Sequence, residues 1–395
     1  MEKEGFYRAV TTLVGTIIGA GVLAIPYAIM KAGFLTGLLN LVVLSAASFL
    51  IYLFTGEIVL RTEGNHQLPG YAEKYLGRIG GLLMAFTMIF GIYGALVSYI
   101  IGVGSSFAEL FSAQNTLLNF FGISFQFSFV FSILFFVFVS FVVYIGLKMV
   151  GKSELIMSSL IILTLLAVSL LALPRLDVSN LMSFSFSRIL IPYGVILFAL
   201  SGAVAVPEMK EQLRKNRKLL KRAIIIGVSI PVILYFLFSL SVIGACGSGT
   251  TELATICLGQ KFGTVVFLLG NLFAILAMTT SFMSLGLGLK EMYHYDYKKN
   301  ETFAWMLACL APLFFYFLIL FFVRGEIFFR TIAISGGITM TLEGILIVLM
   351  HRKAKKHGDR KPEYSIRAGK IVPAVLIIIF LLGLGYTFLN FFGIV

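Results

Sequence analysis

The sequence predicts an all-α polytopic membrane protein of eleven transmembrane helices, arranged as two five-helix repeats inserted in opposite senses plus one extra C-terminal helix. Three observations carry this prediction. The 395 residues are 59% hydrophobic and only 12% charged, with a mean hydropathy of +0.99, whereas a soluble globule carries roughly 25% charged residues. Apolar runs recur along the whole chain. Glycine and proline landmarks within those runs repeat at nearly one offset.

The runs lie near residues 7–30, 34–60, 79–108, 126–147, 155–173, 189–207, 223–245, 262–289, 302–323, 327–350 and 371–392. Each supplies the roughly 17 to 25 residues that a span needs. No small-residue cleavage site follows the first run, so that span is expected to stay rather than leave as a signal peptide. With the N-terminus inside, 25 of the 31 Lys and Arg residues fall on inner segments and 6 on outer ones. This positive-inside bias predicts a cell-membrane protein with a cytoplasmic N-terminus and an outer C-terminus. It also accounts for the net charge of +13 without nucleic acid. The basic clusters 210–222 and 352–370 read as topology determinants, or alternatively as contacts for anionic membrane lipids.

The first run contains Gly15-Thr16-Ile17-Ile18-Gly19-Ala20-Gly21-Val22-Leu23-Ala24-Ile25-Pro26. Glycine costs about 1 kcal/mol and proline about 3 in a helix interior, and hydrocarbon cannot satisfy the freed backbone. Such a stretch either packs closely against a neighbour or breaks where it lines a cavity. Broken there, its N–H groups can hold a carboxylate and its C=O groups a cation. Span 6 repeats the pattern in Leu197-Phe198-Ala199-Leu200-Ser201-Gly202-Ala203-Val204-Ala205-Val206-Pro207. Pro207 follows Pro26 by 181 residues, and Gly259, in a second Leu-Gly pair, follows Gly77 by 182. The offset holds five spans, an odd number, so the second repeat enters upside down and spans 1 and 6 meet at the midplane. Residues 1–175 form the first repeat and 176–350 the second, while 351–395 hold a basic loop and span 11.

The remaining elements fill in this frame. Glu57 lies near the inner end of span 2, within reach of water or Arg61. Residues 68–77 read as a short amphipathic helix. Tyr93 and Tyr99 in span 3 are six apart and on different helix faces, so at most one faces a central site; Tyr93 is taken as the candidate. Spans 4 and 5 read as scaffold. Span 8 carries Thr279, Thr280 and Ser281, whose hydroxyls either bond their own i−4 carbonyls or serve as hard oxygen ligands for a small cation. Arg324 and Glu326 are expected to pair in an outer turn, and Glu343 to sit about two turns from the inner end of span 10. Cys246, Cys257 and Cys309 match no metal spacing; Cys246 and Cys257 are close enough to the outer face to pair, but free apolar thiols are expected.

The two glycine–proline stretches, Glu73-Lys74-Tyr75-Leu76-Gly77-Arg78 and Thr280-Ser281-Phe282 together resemble the amino acid/auxin permease family, close to the bacterial hydroxy and aromatic amino acid permeases of the amino acid–polyamine–organocation superfamily. The resemblance implies a leucine-transporter-like core of ten helices. It implies that Gly19, Ala20 and Gly21 bind a substrate carboxylate, while Phe198, Ala199, Leu200, Ser201 and Gly202 take the amino group and side chain. A sodium position would use the carbonyls of Gly15, Ile18 and Ala277 with the hydroxyls of Thr280 and Ser281. Two departures stand out. Aromatic permeases carry a histidine-containing motif where this chain has Ser201-Gly202-Ala203, and proton-coupled relatives place a lysine where Ile161 aligns.

Together these readings predict a secondary active transporter importing a neutral L-amino acid by alternating access on an ion gradient, with sodium as the ion. A carboxylate-free oxygen cage suits a hard monovalent cation, and no charged side chain lies near the breaks in spans 1, 3 or 6. The alternatives are a proton-coupled aromatic amino acid symporter, or a channel-like or receptor protein. Enzyme chemistry is not expected, because no intramembrane His/Glu pair, paired aspartates or serine-centred motif occurs and the four histidines fall in segments read as cytoplasmic. No cofactor beyond the coupling ion is expected.

Overall fold

A computed structural model describes residues 2–64, 66–111, 117–120, 123–146, 150–322 and 325–394; a few of these, including 150–158 and 161, are described in backbone alone. The first span is two helices, α1 (Glu2–Ile17) and α2 (Gly21–Ala32), bent by 54° at the break between them. Helix α3 (Phe34–Arg61) follows, and then α4 (Leu68–Leu110). A short antiparallel hairpin of β1 (Leu117–Phe120) and β2 (Ile123–Gln126) departs from the all-helical expectation. The first half closes with α5 (Phe127–Ile145) and α6 (Val150–Ala172).

The sixth span is again broken, into α7 (Tyr193–Ala199) and α8 (Val206–Gln212). Helix α9 (Leu220–Cys246), the short α10 (Ala254–Phe262), α11 (Thr264–Glu291), α12 (Glu301–Phe322), α13 (Ile327–His357) and α14 (Ile371–Phe391) complete the chain. Among the described residues nine helices are long and apolar enough to cross a membrane, and the bent α1–α2 pair supplies a tenth. The remaining expected span coincides with α6, where the side chains at 150–158 and at Ile161 lie outside the described residues.

One glycine conformation marks the repeat. Gly77 (φ +80°, ψ −179°) separates a short helix from the long part of α4, and Gly263 (φ +92°, ψ 178°) separates α10 from α11. Both lie where an L side chain is strained and glycine is not. Gly263 thus shares the conformation of Gly77, whereas Gly259 lies four residues earlier, inside α10. Gly259 has a packing role instead, since a Cβ there would stand 2.6 Å from the Phe267 Cα.

Small residues let the central helices approach, as in membrane bundles generally. A Cβ on Gly91 of α4 would sit 3.3 Å from the Thr339 hydroxyl of α13. Large apolar side chains such as Phe138, Phe321 and Leu382 remain exposed on the outside of the bundle, where lipid meets them.

Two polar expectations change. Cys246 and Cys257 are joined in a disulfide with their Cα atoms 6.3 Å apart, because the chain folds back after α9 and lays α10 against it. Glu326 pairs with Lys31 at 2.6 Å; Arg324, its expected partner, lies outside the described residues. Glu57 is fully buried, away from water, and accepts from Arg61 Nε (2.9 Å), His351 Nε2 (2.9 Å), Ser365 Oγ (2.8 Å) and the Ile366 amide (2.7 Å). His351 is accordingly buried inside α13 and stacked on Phe54, not free in a loop.

Candidate functional site

The two breaks touch. A Cβ on Gly21 would come within 2.7 Å of the Ala199 Cα, and one on Gly202 within 2.8 Å of Ile17 Cγ1 and 2.9 Å of the Tyr52 hydroxyl. Glycine at both positions is thus what allows the breaks to interlock. The backbone freed there faces a cavity of about 150 Å³ between α1–α2, α4, α7–α8, α11 and α13.

Hydrogen bonding at the first break is partial. The Gly19 amide turns to the Ile17 carbonyl at 3.0 Å instead of reaching Gly15, and the Val22 amide bonds Gly19 at 3.4 Å rather than Ile18. The Ala20 and Gly21 amides head α2, where the helix dipole adds positive potential, and no described backbone carbonyl pairs with them. Carbonyls at the breaks are met by tyrosines: Tyr235 Oη donates to Ile17 (2.9 Å) and Ala199 (3.0 Å), and Tyr52 Oη to Leu200 (2.7 Å).

Of the expected substrate-contacting residues, Gly19, Gly21, Phe198, Ala199, Ser201 and Gly202 line this cavity. Leu200 lines only a small adjoining one of about 30 Å³, and Ala20 is wholly buried. Tyr93 is not among the lining residues. Its hydroxyl turns to Tyr293 (2.8 Å) and the Leu307 carbonyl (3.0 Å), while Tyr99, on another face of α4, lines the cavity and hydrogen-bonds Ser281. Of the five expected cation ligands, Ser281 lies beside Gly19. The Thr280 hydroxyl donates to the Leu276 and Ala277 carbonyls of its own helix, both at 3.0 Å.

Glu343 lines both cavities, although the sequence places it toward the inner surface. It sits at the middle of the long α13, sixteen residues after Ile327 and fourteen before His357. Tyr52 and Tyr235 have no site role on sequence grounds, although one signal points to both: a phenol O–H inside an apolar span needs a partner, and a broken helix has carbonyls to offer. Tyr99, which bonds Ser281 instead, gives no such signal.

Two spans broken where they meet, with their freed backbone turned on one cavity inside a helical membrane bundle, define a solute carrier of the inverted-repeat class. The chain belongs to the tryptophan/tyrosine permease family, whose model it matches over residues 2–387. It is similar to tyrosine-specific transport system 1 of Haemophilus influenzae, 27% identical over 406 residues covering 95% of this chain and 94% of that one. Glutamine transporter 2 of Aliivibrio fischeri is 24% identical over 311 residues, 76% of this chain and 78% of that one. Among solved structures, MhsT in complex with L-phenylalanine shares the fold, with a TM-score of 0.63 at 18% identity and coverage of 98% and 97%. This is a family with amino acid transporters among its relatives, and it stands in place of the amino acid/auxin grouping that the motifs resemble.

Proposed function

We propose that this chain is a secondary active transporter that imports a neutral aromatic L-amino acid across the cell membrane by alternating access, with its N-terminus cytoplasmic and its repeats spanning residues 1–175 and 176–350. The observation that carries the reading is the cavity shared by the two breaks. The Ala20 and Gly21 amides would take the carboxylate, and carbonyls around Ala199 to Ser201 the ammonium. Phe198, Met88, Ile92 and Met340 would enclose an apolar side chain. Proteoliposome uptake with all twenty labelled amino acids tests it: saturable uptake with counterflow of aromatic amino acids is expected. Flux linear in concentration with single-channel currents would identify a channel instead.

For the coupling ion we propose sodium at the Gly15, Ile18 and Ala277 carbonyls with the Thr280 and Ser281 hydroxyls. Gly15 and Ile18 have lost their i+4 amide partners, and a donating hydroxyl keeps lone pairs for a cation. One observation favours a proton instead, the Glu343 carboxyl in the cavity. Uptake on an imposed sodium gradient, compared with uptake on a pH gradient without sodium, separates the two. Full transport on the pH gradient alone, unaffected by Thr280→Ala with Ser281→Ala, would exclude sodium.

A further inference from the structure

Tyr52 and Tyr235 hold matching places in the two halves of the chain. Tyr235 follows Tyr52 by 183 residues, and the same offset carries Thr16 to Ala199, Ile17 to Leu200 and Gly19 to Gly202. The hydrogen bonds obey it too. Tyr235, on α9 of the second half, donates to Ile17 at the first break (2.9 Å), and Tyr52, on α3 of the first half, donates to Leu200 at the second break (2.7 Å). Each half therefore caps the broken helix of the other, and both phenols are buried.

One contact departs from the symmetry. The Tyr235 hydroxyl also reaches the Ala199 carbonyl at 3.0 Å and so bridges both breaks, whereas Tyr52 holds only one. The contact that would complete the pair runs from Tyr52 to the carbonyl of Thr16, the counterpart of Ala199. That carbonyl has lost its i+4 amide and, among the described residues, accepts no hydrogen bond. Thr16 is also near the phenol, since a Cβ on Gly202 would lie 2.9 Å from the Tyr52 hydroxyl and 3.6 Å from Thr16 Cγ2. A two-fold axis in the membrane plane exchanges the two sides of the membrane, so a carrier built on one reverses its facing when its halves trade conformations.

We propose that Tyr52 and Tyr235 are matched positioning residues that hold the breaks in turn: as the facing reverses, Tyr235 releases Ala199 and keeps Ile17, while Tyr52 keeps Leu200 and takes Thr16. The proposal rests on the inverted-repeat and alternating-access reading. Three phenol–carbonyl contacts exist in this state, and the exchange leaves three in the other. Neither facing is then locked by a buried acceptor that only the other satisfies.

Removing the two hydroxyls must bias the carrier in opposite directions. Tyr235→Phe loses two contacts in this state and one in the other, whereas Tyr52→Phe loses one here and two there. The test is thiol reactivity of the full-length protein in detergent on a Cys309→Ala background, Cys246 and Cys257 being paired. Ser105→Cys reports the vestibule beside Gln260 and Glu326, and Leu285→Cys the central cavity toward the other end of α11. The ratio of the two reactivities is expected to move about three-fold one way in Tyr235→Phe and about three-fold the other way in Tyr52→Phe, as part of one hydrogen bond allows. The double variant should return to the wild-type ratio. Loosened packing alone would raise both reporters together. Shifts of the same sign, no shift, or a double variant as biased as either single one would overturn the proposal. Where a Phe variant does not fold, Tyr52→Met or Tyr235→Met replaces it. Wild type is also measured with each of the twenty amino acids. If none moves the two reporters in opposite directions, the alternating-access reading itself falls; if one does while the variants shift together, only the pairing of the tyrosines falls.

Discussion

The hydroxyl of Tyr235 donates to the carbonyl of Ile17 at 2.9 Å, across 218 residues of sequence. The same hydroxyl lies 3.0 Å from the Ala199 carbonyl, so one proton is shared between the ends of both broken helices. Tyr235→Phe removes that donor while keeping the ring. Loss of a partner for a buried acceptor costs about 1 to 3 kcal/mol. A lower melting temperature is expected, together with slower uptake because the breaks lose their common anchor. Unchanged stability and uptake would show that the shared bond holds nothing.

Gly21 is the second pressure point. Because a Cβ there would meet the Ala199 backbone at 2.7 Å, alanine is already too large, and valine more so. Gly21→Ala is expected to reduce substrate binding at least ten-fold by pushing the breaks apart, and Gly21→Val to abolish it. Equilibrium binding of a labelled substrate decides; wild-type affinity in either variant would remove the central claim about the site.

The far-side clamp between Lys31 and Glu326 should respond to acid. Burial raises the Glu326 carboxyl, but hydrogen bonds from Lys31 and Tyr27 and the charges of Lys31 and Arg330 outweigh it and hold it below the usual carboxylate range. A lowered folded value means the clamp contributes at neutral pH and is lost as pH falls through that value. The pair is about one-third exposed and so is worth about 1 kcal/mol at most. In a Ser105→Cys reporter lining the neighbouring vestibule, Glu326→Gln should raise thiol reactivity at neutral pH by up to about five-fold; because the reactive thiolate is itself lost in acid, the acid response is read as the stability of the parent converging on that of Glu326→Gln as pH falls.

Topology follows from labelling. Asn216→Cys and Lys361→Cys should react only after the membrane is permeabilised, whereas Lys261→Cys should react from outside intact cells. The reverse pattern would invert the orientation.

Much of the frame was legible in the sequence. The breaks at residues 18–20 and 200–205 follow from glycine and proline inside apolar runs, a local conflict between backbone and bilayer that needs no partner to be seen. The family resemblance reached the cavity-lining glycines for the same reason, since their motifs are contiguous. The sequence could not show that the Tyr93 hydroxyl turns from the cavity to Tyr293, because a membrane helix is apolar on every face. No amphipathic stripe then reports its rotation, and only packing against α11 and α12 decides that Tyr99 turns inward.

The sequence by itself determined the membrane class, the spans, the charge asymmetry and the places where two helices break, because each depends on composition over one helix length. Only the tertiary structure decided that Tyr235 and Tyr52 cap the breaks, that Glu57 finds His351 and Ser365, that Cys246 meets Cys257, and that Glu343 faces the cavity. Those pairings join groups from 11 to more than 300 residues apart. They are set by helix rotation and depth, which in an apolar bundle are fixed by side-chain interlocking between neighbours rather than by any pattern along one helix.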